Sequence, residues 1–217
     1  MRLKKGILGA VSLVMVFFSS CIGINTNITI RQNGAGTLDL EYRISRIAES
    51  LGKLDGNERW LTLPVGRADF ERTISRIDGL KLTAFSARED EKDRVVTVKV
   101  DFSNPDALTG FLDALGQRTR LTREEDKYRL SLTLGGGVQS QDPELLELTQ
   151  AVFLGYTLEF GIALPRDTVL TLVDEEGGKL DTPPVGNIYG SGRNIRFSAP
   201  MGALLTSKEP VRMEIRW

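Results

Sequence analysis

The chain has no histidine and one cysteine among its 217 residues. Without imidazole there is no Ser-His-Asp or Cys-His arrangement, no imidazole general base, and no His-ligated zinc or iron site. A lone cysteine allows no intramolecular disulfide. Neither sign of charge dominates, with 28 Lys+Arg against 29 Asp+Glu, so nucleic acid is not an expected partner. Long apolar runs are missing as well. The longest, Ile7 to Phe18, reaches about 12 residues, whereas a spanning helix needs about 20. The chemistry left open is that of carboxylates, of Ser/Lys pairs, or of oxygen-ligated Ca²⁺ or Mg²⁺, and none has a recognisable motif here. The expectation is a non-enzymatic protein with no cofactor and no metal site.

What is present begins at the N-terminus. Arg2, Lys4 and Lys5 precede the apolar run, and Ser19 and Ser20 close it. That is the anatomy of an export signal. Phe18-Ser19-Ser20-Cys21 resembles the lipobox of bacterial lipoproteins, in which the cysteine sulfur takes a diacylglycerol group and the cysteine becomes the new N-terminus. Leu is commoner where Phe18 stands, and the departure fits the looser lipoboxes of spirochaete lipoproteins. The competing reading is an ordinary secretory signal. The lipoprotein reading makes residues 1–20 a signal peptide and 21–217 a single mature domain, with possible sub-units 24–78, 79–153 and 154–217. Cys21 is then a lipidation site. Acyl chains, at about 0.8 kcal/mol per buried CH₂, would hold the chain at an extracytoplasmic membrane face without any spanning segment. Removing Arg2, Lys4 and Lys5 leaves 25 basic residues against 29 acidic, a net charge of −4.

Beyond the anchor, most segments alternate apolar and polar residues with period two, the mark of half-buried strands. Ile24, Thr26, Ile28 and Ile30 share one side of a first strand; Leu38, Leu40, Tyr42 and Ile44 share one side of a second. Asn33-Gly34-Ala35-Gly36 between them is a turn signal, so the two form a hairpin. Ser45 can cap a helix carrying Ile47, Leu51 and Leu54, and Phe70, Ile74 and Ile77 mark another over 68–78, stopped by Gly79. A hairpin over 80–102 is followed by a helix with Asn104 as N-cap and Pro105 at its first position, with Leu108, Phe111, Leu112 and Leu115 as its apolar face. The order recurs as a hairpin over 119–134 and a helix capped by Asp142 ahead of Pro143. Later strands are marked by Tyr156, Leu158, Phe160, Ile162 and Leu164, by residues 167–174, and by Val211, Met213, Ile215 and Trp217. The segment between the last two has turns at Gly177-Gly178 and Gly190-Ser191-Gly192 with an irregular stretch between them.

This pattern predicts an α+β fold: largely antiparallel sheets built of three strand-strand-helix units, with helices covering one face. Divergent duplication explains the rhythm, and so does any single-faced antiparallel sheet backed by helices.

The lipobox, the hairpin NITIRQNGAGTLDLEYRIS and the segment YTLEFGIALP with a terminal strand resemble lipoproteins carrying an LppM-type domain. The resemblance implies an α+β domain comparable with lipid-binding folds and a place in the cell envelope. No functional residue carries over.

Other features have plain structural readings. Gly135-Gly136-Gly137 and Gly190-Ser191-Gly192 match neither GxxxxGK[ST] nor GxGxxG and read as turns. Asp174, Glu175 and Glu176 beside Gly177 lack the EF-hand pattern and read as a solvated hairpin tip. The charged loops in 87–94 and 122–129 suit a soluble surface, and Trp60 suits a core contact or an exposed wedge. Two functions follow as expectations. One is a membrane-anchored envelope lipoprotein that binds a lipid or other amphiphile between a curved sheet and its helices. The alternative is a structural or assembly scaffold contacting other envelope proteins.

Overall fold

A computed structural model describes residues 23–46, 66–115, 117–124, 127–135 and 143–217. Cys21, the helix expected from Ile47 to Leu54, Trp60 and the cap Asp142 lie outside the described residues.

The alternating segments are strands, and they stack as two sheets. The first holds seven strands in the order β10 (Asn187–Ser191), β11 (Asn194–Pro200), β7 (Thr157–Ala163), β1 (Ile24–Ile30), β2 (Gly36–Ser45), β4 (Asp93–Phe102), β3 (Leu80–Glu89). The second holds five: β5 (Arg118–Glu124), β6 (Lys127–Leu134), β12 (Val211–Arg216), β8 (Val169–Val173), β9 (Lys179–Leu180). Neighbours are antiparallel except β1 and β7, which run parallel with Ile24 beside Leu158. Each sheet turns one face inward. Thr26, Ile28 and Ile30 of β1 are buried while Asn25, Asn27 and Thr29 are exposed, and Val211, Met213 and Ile215 of β12 are buried between Arg212, Glu214 and Arg216.

Both inward faces belong to one hydrophobic core, in which Leu38, Val98 and Phe160 of the larger sheet join Leu132, Met213 and Leu172 of the smaller. Two single-faced sheets can satisfy each other in this way, at a separation near 10 Å, without a helical layer. That overturns the expected α+β class with helices over one face. Strands take 51% of the described residues and helices 21%. Four helices are described, and they sit around the rim. Helix α1 (Arg67–Ile74) packs on β3, its Phe70 ring 5.8 Å from that of Phe85. Helix α2 (Pro105–Ala114) packs on β5 and β4, and α3 (Pro143–Val152) packs on α4 (Met201–Thr206).

The strand-strand-helix rhythm is real along the chain but does not make repeated units in space. The β3–β4 hairpin adds to the larger sheet and the β5–β6 hairpin to the smaller, so the two play different parts. The final third alternates between sheets: β7 joins the larger, β8 and β9 the smaller, β10 and β11 the larger, and β12 the centre of the smaller.

Local expectations hold at several places. The Asn104 side chain accepts a 2.9 Å hydrogen bond from the Ala107 amide, with Pro105 at the first helical position, and Leu108, Phe111, Leu112 and Leu115 are buried. Leu158, Phe160 and Ile162 alternate inward on β7. Ser45 is the buried last residue of β2. The stretch expected to be irregular includes β10, and α4 was not expected.

Candidate functional site

Two hollows of opposite character lie on the two sides of the larger sheet. Inside, Leu38, Leu40, Leu158 and Phe160 of that sheet, Leu132 and Leu134 of the smaller one, and Leu112 and Leu115 of the α2 region line an apolar cavity of about 40 Å³. A water molecule's share of liquid volume is about 30 Å³, and a typical small-molecule site spans about 300 to 1,000 Å³. Among the described residues this cavity is therefore a packing gap, well below the volume of a typical small-molecule site.

On the outer side the register assembles a polar face from distant parts of the sequence. One row across the strands reads Tyr189, Arg196, Gly161, Asn27, Asp39, Lys99. The next reads Asn187, Ser198, Glu159, Asn25, Glu41, Thr97. Gly161 leaves a gap in the first row. Asn27 leans across it, so a Cβ built on Gly161 would lie 2.6 Å from Asn27 Oδ1, and Asn27 Nδ2 donates to Asn25 Oδ1 at 2.8 Å. The result is a groove of about 510 Å³ lined by Asn25, Asn27, Glu159, Tyr189, Arg196 and Ser198, among others. A second hollow of about 400 Å³ continues from it through Asn25 and Glu159 to Glu41, Arg43, Asp93 and the Gly155–Thr157 turn. Amide, carboxylate and guanidinium groups stand beside the half-exposed Tyr189 ring. This is a donor-and-acceptor surface with one aromatic platform.

The outer face of the smaller sheet is basic. Arg118, Arg120, Arg129, Arg212, Arg216 and Lys179 project from it by register, with Glu214 among them. Arg212 is held by Glu175 at 2.6 Å and Arg216 by Glu214 at 2.9 Å. At the inward-facing edge the Tyr128 and Trp217 rings stack with centroids 5.4 Å apart, and the Arg123 guanidinium lies over Tyr128 at 5.5 Å.

Some of the features singled out in the sequence lie among the described residues. Gly190 and Gly192 have φ of 88° and 63°, the left-handed values a tight turn requires. Asp174 Oδ1 accepts from the Glu176 and Gly178 amides at 2.9 and 2.6 Å, which fixes the β8–β9 turn, while Glu175 is committed to Arg212. No cluster of three potential metal-ligating side chains occurs among the described residues. Across the β3–β4 turn, Arg94 hydrogen-bonds Glu89 and holds its carboxyl below the usual range. The Asp93 and Lys92 amides do the same for Asp90. Gly136 and Gly137 lie outside the described residues, as does Cys21.

The outer groove was missed in the sequence. Asn25, Asn27 and Glu159 were visible only as the polar alternates of their strands, and their convergence depends on the parallel β1–β7 pairing.

No family model matches the chain, and no curated protein matches it. Among solved structures it is similar to the folded domain of the Mycobacterium tuberculosis protein LppM, determined by NMR. The likeness has 14% identity, covers 94% of this chain and 92% of that one, and gives a TM-score of 0.48. Neither lipid modification nor a spirochaete-like origin follows from a similarity of that size.

Proposed function

We propose that this chain is a non-catalytic cell-envelope lipoprotein, anchored through Cys21 and acting by contact at its surface. Support for the anchor is the order of charge, apolar run, small residues and cysteine over residues 2–21. The observation that carries the mode of action is the contrast in volume across one sheet: about 40 Å³ on its apolar side and about 510 Å³ on its polar side. A protein built to contact a polar partner, such as another envelope component, needs the second and not the first.

Amphiphile binding is the second reading, and the apolar cavity is what favours it. If the sheets part between Leu38 and Leu132, an acyl chain would meet mostly apolar side chains there, with Thr26, Gln117 and Glu159 among the lining. Native mass spectrometry after incubation with envelope lipid extract separates the two. Surface contact predicts no stoichiometric, detergent-resistant lipid mass beyond the covalent anchor. One or two retained lipids per chain would overturn it in favour of the amphiphile reading.

A further inference from the structure

The anchor, if it is Cys21, joins the described domain at a definite place. Two peptide units separate Cys21 from Gly23, so their Cα atoms are at most about 8 Å apart. Gly23 lies against the start of β7: a Cβ built on it would meet Tyr156 Cδ1 at 3.5 Å and the Thr157 carbonyl oxygen at 3.6 Å. The end of the larger sheet where β1 and β7 begin is therefore held close to the membrane.

Helix α3 delivers the chain to that end. Among the described residues the exposed large apolar side chains are Leu148, Leu154, Val169 and Tyr189, and two of these four belong to α3 and the turn after it. Glu144, Glu147, Leu148 and Ala151 are exposed at the 3-and-4 spacing of one helical face, Gln150 is exposed beside them, and Leu154 is exposed in the turn after the helix. The opposite face holds the buried Thr149, and Phe153 is buried beyond the last turn. The exposed face changes character along its length. It is acidic over Glu144 and Glu147 and carries Leu148 and Ala151 toward the helix C-terminus, with Leu154 in the turn that leads to Tyr156. Leu154 then stands two residues from Tyr156, the side chain that touches Gly23. Burying each of these exposed leucines in a membrane interface regains the transfer energy of an apolar side chain.

We infer that Leu148 and Ala151 of α3, with Leu154 in the turn after it, form a bilayer-contacting surface, which with the acyl anchor sets the domain on the membrane by the end at which β1 begins. The occupant is the lipid interface itself. This rests on acylation of Cys21, which supplies the short tether. It adds an orientation that the anchor alone would leave free, because a single flexible tether does not fix which surface faces the lipid.

Introduced thiols allow a direct test on the full acylated chain, since the Cys21 sulfur is then a thioether. Leu154→Cys and Ser191→Cys, both at exposed positions at opposite ends of the larger sheet, would each carry a fluorophore. Each protein is placed in phosphatidylglycerol/phosphatidylcholine vesicles with or without acyl-brominated lipid. Penetration of about 5 to 10 Å into the headgroup boundary predicts roughly twofold or greater quenching at position 154 and little at 191. Intact mass is read on the same samples. Acyl mass with equal quenching at the two positions overturns the orientation and leaves the anchor standing. Absence of acyl mass overturns the anchor and this orientation with it.

Discussion

The Tyr156 hydroxyl donates a 2.9 Å hydrogen bond to the Asp93 carboxylate between two buried side chains 63 positions apart. Tyr156 leads into β7 and Asp93 opens β4, strands separated in the sheet by β1 and β2. The bond ties together the end of the sheet that Gly23 enters. Replacing Tyr156 by Phe would keep the ring and leave a buried carboxylate short of a donor. The expected loss is about 1 to 3 kcal/mol, seen as a lower urea midpoint with an unchanged slope. An unmoved midpoint would show that Asp93 is satisfied without it.

Asn104→Ala should cost about 1 kcal/mol, because the Ala107 amide loses its acceptor at the start of α2. Asn104→Asp should recover most of that loss, since the carboxylate accepts the same bond. The comparison of the two unfolding midpoints checks the cap; equal losses would place the helix start elsewhere.

Two glycines should respond in opposite ways to alanine. At Gly36 a Cβ would overlap the Thr29 carbonyl oxygen and the Phe102 ring, and the backbone oxygen cannot yield. At Gly161 the obstacle is the flexible end of Asn27. Gly36→Ala should therefore destabilise by about 1 to 3 kcal/mol or more, and Gly161→Ala by less than about 1 kcal/mol. Thermal unfolding of the two variants measures the difference, and a milder effect at Gly36 would contradict the β1–β2 geometry.

Burial pushes the Tyr42 phenol well above its usual range, the Asp69 carboxylate adds to the rise, and Arg94 opposes it. In the unfolded chain the phenol loses its proton near pH 10, while the folded protein still holds it. The unfolded state then binds fewer protons, so stability is fully present below about pH 10 and falls as the pH rises further. Tyr42→Phe should remove this part of the alkaline decline. Denaturant stability measured from neutral to strongly alkaline pH tests it, and identical slopes for the two proteins would count against it.

The strands and the α2 cap were legible because they are set by neighbours in sequence: period two for β4 and β7, and Asn104-Pro105 for the helix start. What covers the apolar faces was not legible. A strand with one apolar side reads the same whether a helix or another sheet lies against it, and this is where the expected α+β class failed. Helix α4 spans only six residues, Met201–Thr206, too few to display a helical period. The outer groove needs Asn27, Gly161 and Arg196 in one row, and that row exists only because β1 pairs with β7 in parallel and β7 with β11 in antiparallel register.

We propose that lipid on Cys21 holds this domain at a membrane. The most direct test is the intact mass of the full chain extracted from membranes in mild detergent. Acylation of Cys21 predicts a polypeptide beginning at Cys21 and carrying a diacylglycerol group, with or without a further amide-linked acyl chain, and a Cys21→Ser chain that keeps residues 1–20 and carries no acyl mass. A membrane-extracted chain with an unmodified Cys21, or one cleaved at another position, would contradict it.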